Sequence, residues 1–324
     1  MQTLERDGIK KVAPSSFAAG QAIAVDLIAV TVAVTNGDPR VLTIEDEGAL
    51  PSGPFQVGHR SLQSGLRAWV ERQTSLPLGY MEQLYTFADR DRAGVEQQVI
   101  SISYLGLTRE QRASGESEAG WGSWYAYFPW EDHRIGTPAM IARELEPRLR
   151  DWIEAARELE QRQTRLQRAS ITFGLDGRPW NEDLVLQRYE LLFEAGLIAE
   201  SGPASALPGR AATTGGRPMI LDHRRILATG IARLRAKIKY HPVVFELMPE
   251  TFTLLQLQRC VEALAGRLVH KQNFRRLIEQ QELVEETGQA AQDTGGRPAK
   301  LFRFRRAVFT ERAIVGTKLP ISKA

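Results

Sequence analysis

The stretch 249-PETFTLLQLQRCVEALAGRLVHKQNFRRLIEQQELVEETG-288 decides how the chain is read, because it sets two short helices around a tight turn. Thr253 can cap the first helix, and Leu254, Leu257, Val261 and Leu264 recur every three to four residues, the stripe of an amphipathic helix. Gly266 offers a left-handed exit. In the following "HKQNFRRLIEQQE", Phe274, Leu277 and Ile278 can pack inward, which leaves Lys271, Gln272, Asn273, Arg275 and Arg276 near the exposed start of the second helix. A pair of short helices whose second member is polar and basic at its start presents donors to the major groove, as a helix-turn-helix does. Gln and Asn suit adenine, and Arg suits guanine or phosphate.

Downstream, "LVEET" and "KLFRFRR" read as strands separated by the basic, glycine-rich "GQAAQDTGGRPA". A hairpin placed after a recognition helix makes a winged helix-turn-helix, with Arg297 and Lys300 as the wing's DNA contacts and Thr253 at a phosphate-facing helix start. Charge agrees: from Arg224 onward the chain has 19 Lys and Arg against 9 Asp and Glu, a net of +10, whereas residues 1 to 223 carry a net of −7. A basic segment of this kind suits a polyanion, and equally a solvated face. "YELLFEAGLIAES…TTGGRPMIL" echoes the helix, strand and Gly-Gly-Arg-Pro order of the wing, so either a second wing carrying Arg217 or an unrelated hairpin is expected there.

The rest of the chain is ordinary for a folded protein: 324 residues, 43% apolar and 25% charged, enough for two or three domains. Cys260, its single cysteine, excludes an intrachain disulfide and a thiolate metal cluster, so a reducing, cytoplasmic setting is expected. "AIAVDLIAVTVAVT" is interrupted by Asp26 and too short to span a bilayer, so no membrane role is expected. It reads instead as a strand leaving through "NGDP" into the hairpin partner "RVLTIED". "VISISYLGLT" (99–108), "SWYAYFPW" (123–130) and "PMILDHRRIL" read as further strands. "GTPAMIARELEPRLRDWIEAARELEQRQTRLQRA" reads as a helix kinked or divided at Pro147, "DLVLQRYELLFEAG" as one ending at Gly196, and "TGIARLRAKIKYH" as a basic amphipathic helix. His133 and His223 have no metal-like i+4 partner, and Trp121, Trp124 and Trp130 are expected in the core or sheet.

The segment 53-GPFQVGHRSLQSGLRAWVERQTS-75 resembles a Nudix box, in which Gly, five residues, Glu, seven residues and then Arg-Glu-apolar-any-Glu-Glu-any-Gly-apolar build a magnesium site. Gly53, Arg67, the apolar Trp69 and Glu71 keep the pattern; His59, Ala68, Arg72, Thr74 and Ser75 replace its other residues. Acids at 68, 71 and 72 would share one helix face at i, i+3 and i+4 and hold magnesium against a diphosphate. Here that face offers one carboxylate, an alanine and a cation. Magnesium-assisted hydrolysis is therefore not expected, nor any metal or cofactor, and Arg67 and Glu71 are expected as a surface pair.

"YMEQLYTFADRDR…VISISYLGL" and the run from "ILDHRRIL" to "GGRPAKLFRF" are similar to the Nudix-related, NrtR-like transcriptional regulators of NAD metabolism, over roughly residues 20 to 110 and 219 to 306. The resemblance implies an α+β chain: a Nudix-like α/β/α sandwich with a helical insertion, followed by a winged helix-turn-helix. The expected divisions are 1–135 for the first part of the sandwich, 136–218 for the insertion, 219–240 for its end and a linker helix, and 241–324 for the DNA-binding domain. It implies a homodimeric repressor of NAD metabolism genes whose partners are a double-stranded DNA operator and a nucleotide effector such as ADP-ribose. The effector would meet Arg67, Glu71, Glu82 and Asp89. Two departures stand out: the degenerate box, and His270 where the family often has an Asp before the basic helix. The alternative is a nucleoside-diphosphate hydrolase using Glu71, Glu82 and Asp89 as a substitute acid set; a third reading makes the insertion a protein-interaction module.

Overall fold

The computed structural model describes residues 23–44, 46, 48–88, 99–111, 119–202, 215–291 and 298–305. Asp89, Arg297 and most of the Gly/Pro-rich loop before Gly215 lie outside the described residues.

The first region is organised by β1 (Ala24–Thr35), apolar on both faces. Asn36 and Gly37, at φ 53° and 75°, turn it into β2 (Asp38–Thr43), as the Asn-Gly pair requires for a two-residue hairpin. The first half of β1 pairs instead with β3 (Ser52–Pro54). After α1 (Leu62–Thr74) come β4 (Tyr80–Phe87), β5 (Val99–Leu107), which pairs parallel with β1, and β6 (Gly120–Ser123). The sheet order is β4-β5-β1-β2-β6, with β3 beside β1.

A strand that is apolar on both faces needs cover on both. Leu27 and Ala29 of β1 meet Leu66 and Val70 of α1 in one core, whereas Ile28, Val30 and Val32 belong to a second, larger core with Ile226, Leu227 and Ile231. The last three lie on α6 (His223–Lys237). The result is a sandwich of helix, mixed sheet and helix. Gly230 sets the approach of α6, because a Cβ there would stand 2.8 Å from Val30 Cγ1.

Between sheet and α6 the chain is helical: α2 (Trp124–Tyr127), α3 (Glu146–Glu154), α4 (Leu159–Phe173) and α5 (Val185–Glu194). Pro147 has no N–H to give the turn before it, and the chain answers with a π turn over Ile141–Leu145, closed by Glu146 N–H to Ile141 O, before α3 starts. A second break at residues 155–158 separates α3 from α4. Gly196, at φ 68°, follows α5. The core continues from these helices through Leu149, Tyr189 and Ile231 to Leu257 and Phe274: α5 packs on α6, and α6 and α7 both reach β1 directly.

Two expected strands are helical instead. "SWYAYFPW" contributes only Ser123 to β6, then turns through α2 and a 3-10 turn at Pro129–Glu131, because Trp124, Tyr127, Phe128 and Trp130 are all fully buried and a strand's alternation would turn Tyr127 to the face opposite the other three. In "PMILDHRRIL", α6 starts at His223, since Arg224, Leu227, Ile231 and Arg235 make one buried stripe at helical spacing. Short apolar runs suit either element, and packing decides between them.

Candidate nucleic-acid interface

The C-terminal region begins with a 3-10 turn, Pro242–Leu247, followed by α7 (Leu254–Ala265), α8 (Lys271–Gln280), β7 (Val284–Ala291) and β8 (Ala299–Phe304). Phe252 pairs with Phe302 as a third short rung beside the hairpin. Phe274 and Ile278 are fully buried, and Phe245 stacks on Phe304 at 4.2 Å between centroids, so helix pair and hairpin share one core.

The turn between the helices is built from side chains that composition alone does not reveal. Gly266, at φ 71°, ends α7. Glu262, buried, accepts the Val269 N–H at 2.9 Å and the Gln258 Nε2–H at 3.0 Å, so two α7 side chains hold the backbone just before α8. With that turn fixed, Phe274 and Ile278 face inward and Lys271, Gln272, Asn273, Arg275 and Arg276 stand exposed on α8. Among the described residues none of these five has an ion pair or a side-chain hydrogen bond, so their donors face solvent.

The other expected contacts differ. Thr253 is buried; its hydroxyl accepts the Gln256 N–H at 3.2 Å and its own N–H donates to Gln256 Oε1 at 2.8 Å. It is the cap of α7, with no free donor for phosphate. His270, at the N-cap of α8, makes no side-chain cap. Lys300 is exposed but spans the hairpin to Glu286 at 2.8 Å, and Arg303 pairs with Glu285 at 2.5 Å, so the described wing is laced by opposite charges. Arg297 lies outside the described residues.

A buried ionic joint links this region to the rest of the chain. Glu131 receives Arg188 at 2.6 and 2.9 Å and also Arg235, with all three side chains fully buried. Arg188 further donates to the carbonyls of Thr172 and Asn181, and Arg235 to those of Glu182 at 3.0 Å and Leu264 at 2.9 Å. Burial alone would raise the Glu131 carboxyl, but the two guanidiniums hold it below the usual carboxylate range. Nearby, Tyr125 Oη donates to Ala263 O at 2.7 Å and His133 N–H to Gly266 O at 2.7 Å. The end of α7 is thereby fastened to the segment after β6. Sequence reading missed this joint; its signal was an arginine standing on the apolar stripe of α6.

The diverged Nudix-like helix is also internally committed. Gly53 lies under the Trp69 ring, where a Cβ would come within 2.4 Å, and Trp69 Nε1–H donates to Pro54 O at 3.0 Å. Arg72 covers the Trp69 ring at 4.6 Å. Arg67, expected to pair with Glu71, donates instead to the carbonyls of Leu78 and Gly79. The expected effector set is not brought together: Arg67 and Glu71 belong to α1, whereas Glu82 points to the other face of the sheet, where it binds Lys237 of α6 and accepts the Tyr80 Oη–H at 2.6 Å. Burial opposes its charge, yet Lys237 and Tyr80 hold its carboxyl below the usual range.

Described residues also resolve the Gly-Gly-Arg-Pro echo. Ala199–Ser201 form a 3-10 turn and Arg217 N–H donates to Ala126 O at 2.8 Å. Gly216, whose Cβ would lie 2.3 Å from Tyr127 O, brackets the buried Arg224. No second wing is formed by the described residues. His223 is a buried core histidine whose Nδ1 accepts the Leu50 N–H at 2.9 Å, and His133 lies 3.9 Å from Trp180. Trp124 and Trp130 are core, and Trp121 packs partly buried on the α1 side of the sheet. No group of three His, Cys, Asp or Glu able to hold a metal ion occurs among the described residues, and no helix among them is long and apolar enough to cross a membrane.

Comparison with known proteins places this geometry. The family model of the NrtR DNA-binding winged helix domain matches residues 244–304. The ADPR responsive transcriptional repressor NtrR of Acinetobacter baylyi is 40% identical over 86 residues, 26% of this chain and 34% of that protein, so the chain spans about a third of the curated relative it matches. Shewanella oneidensis NrtR, solved with a 27mer DNA, superposes with a TM-score of 0.53 at 18% identity, over 88% of this chain and 95% of that one. A MutT/nudix family protein from Enterococcus faecalis gives 0.52 at 14% identity, over 89% and 88%. The C-terminal segment of the chain therefore matches the NrtR family's winged helix domain, and its fold as a whole, a Nudix-like sandwich with a packed helical segment before that domain, is similar to that of Shewanella oneidensis NrtR.

Proposed function

We propose that the chain is a transcriptional repressor that reads a double-stranded DNA operator through α8 and senses ADP-ribose or a related nucleotide on its Nudix-like sandwich without cleaving it. The observation that carries this reading is the exposed face of α8, where Lys271, Gln272, Asn273, Arg275 and Arg276 stand over buried Phe274 and Ile278 within the segment matching an NrtR DNA-binding domain. Donors anchored on a packed helix enter the major groove with little loss of order. The Shewanella relative was crystallised with DNA and the Acinetobacter relative is named as ADPR-responsive, which supports both roles here.

Sensing in place of hydrolysis is supported by the α1 face, which joins Glu71 to Ala68 and to an Arg72 already stacked on Trp69. One carboxylate beside a cation is a poor hold for a hard divalent ion. Arg67 and Glu71 are the proposed effector-facing residues, whereas Glu82 serves as a brace for α6. Two copies of the chain, acting in the cytoplasm on paired half-sites of NAD metabolism genes, complete the proposal.

Selection of genomic fragments by the purified full chain, with and without ADP-ribose, tests it. Recovery of discrete sites whose occupancy changes with ADP-ribose is expected. Magnesium-dependent release of AMP from ADP-ribose contradicts the sensing role.

A further inference from the structure

Away from both the α1 face and α8, a cavity of about 610 Å³ opens where three parts of the chain meet: the loop from Arg178 to Leu184, Lys239 just past α6, and Arg267 in the α7–α8 turn. That volume lies in the range of small-molecule sites. Ile171, Pro179 and Trp180 give it an apolar side. Opposite them, Glu182 Oε1 bridges Lys239 at 3.2 Å and Arg267 at 3.3 Å, while Asp183 Oδ2 takes Lys239 at 2.6 Å. Arg178 is exposed at this cavity and, among the described residues, has neither an ion pair nor a side-chain hydrogen bond. Three cations thus face two carboxylates.

We propose that this cavity binds a phosphomonoester of about mononucleotide size, its phosphate between Arg178, Lys239 and Arg267 and its apolar part against Ile171 and Pro179. Two guanidiniums and an ammonium match the several oxygens of a phosphate, and each such bond is charge-assisted. A dianionic phosphate competes with Glu182 for Lys239 and Arg267. Arg267 directly follows Gly266, and the Glu182 carbonyl is held by Arg235 of the buried joint, so occupancy acts on the turn that positions α8. A ligand that prefers one setting of that turn shifts the chain toward it.

Binding does not rest on the proposed DNA-binding role and is measured separately from it, by calorimetry on the full chain with AMP, adenosine and inorganic phosphate as probes. AMP is expected to bind more tightly than either of the others, and Arg178→Ala, at an exposed position, to weaken it about tenfold with an unchanged melting temperature. Lys239→Gln should weaken it at least as much, and Arg178→Lys should restore part of the loss. Three results overturn the proposal: no AMP binding at millimolar concentration, AMP affinity unmoved by Arg178→Ala, or inorganic phosphate binding as tightly as AMP.

Discussion

Arg235 of α6 meets Glu131 in the interior, neither side chain exposed, and the same carboxylate also takes Arg188 of α5. Three charges withdrawn from water are tolerable only while each keeps its partners. Glu131→Gln removes the shared counter-charge, and a loss of about 3–5 kcal/mol is expected in urea unfolding. Because the Glu131 carboxyl titrates below its ordinary value in the folded chain, its contribution is present above the unfolded value of 4.5 and is lost as pH falls through the lower folded value. The gap between wild type and E131Q should narrow only in that acid range.

His223 supplies a second pH dependence, in a different window. Burial pushes its imidazole down to about 4 from 6.5, so the unfolded chain takes up a proton that the folded chain refuses. Its contribution is full above pH 6.5 and declines as pH falls toward 4, by about 3 kcal/mol in total. Unfolding of wild type and His223→Gln compared at pH 7 and pH 5 should show wild type losing the larger share of its stability.

Glu262 orders the turn before α8 without facing DNA. Glu262→Ala leaves the Val269 N–H short of its acceptor, at a cost of about 1–3 kcal/mol. Operator affinity should fall in this variant while the dependence of affinity on salt stays as in wild type, because no phosphate contact is removed. A changed salt slope would place Glu262 in the contact itself.

Gly230 lets α6 rest on β1. Gly230→Ala gains helix propensity of about 1 kcal/mol but drives a Cβ into Val30 Cγ1, and overpacking of this kind costs about 1–3 kcal/mol. A lower melting temperature is expected, with Val30→Ala in the same chain recovering part of it. If G230A alone melts higher, the contact is softer than the packing implies.

Much of the fold was legible because it follows from pattern. Asn36-Gly37 announced the first hairpin, the stripe from Leu254 to Leu264 announced α7, and Phe274 with Ile278 separated the buried from the exposed face of α8. The segment Trp124 to Trp130 was misread because aromatic residues buried on all sides carry no period. The joint at Glu131 stayed hidden for another reason: its members are far apart in sequence, and a charged side chain is ordinarily exposed. That Glu82 lies on the α6 side, away from Arg67 and Glu71, was not legible because strand alternation fixes its face only once it is known which helix covers which side. Thr253 was identified as a cap, but burial that removes it from phosphate is a tertiary property.

The most direct test of the central claim is the affinity of the full chain for a selected genomic site, measured by fluorescence anisotropy for wild type and Arg276→Ala across a salt series. Wild type should bind the site in preference to unrelated DNA and weaken steeply with salt, and Arg276→Ala should cost about 1–3 kcal/mol if it contacts a base edge, or lower the salt slope by about one if it contacts phosphate. Equal affinity of the two chains, with an equal salt slope, would contradict the assignment of α8 as the DNA-reading helix.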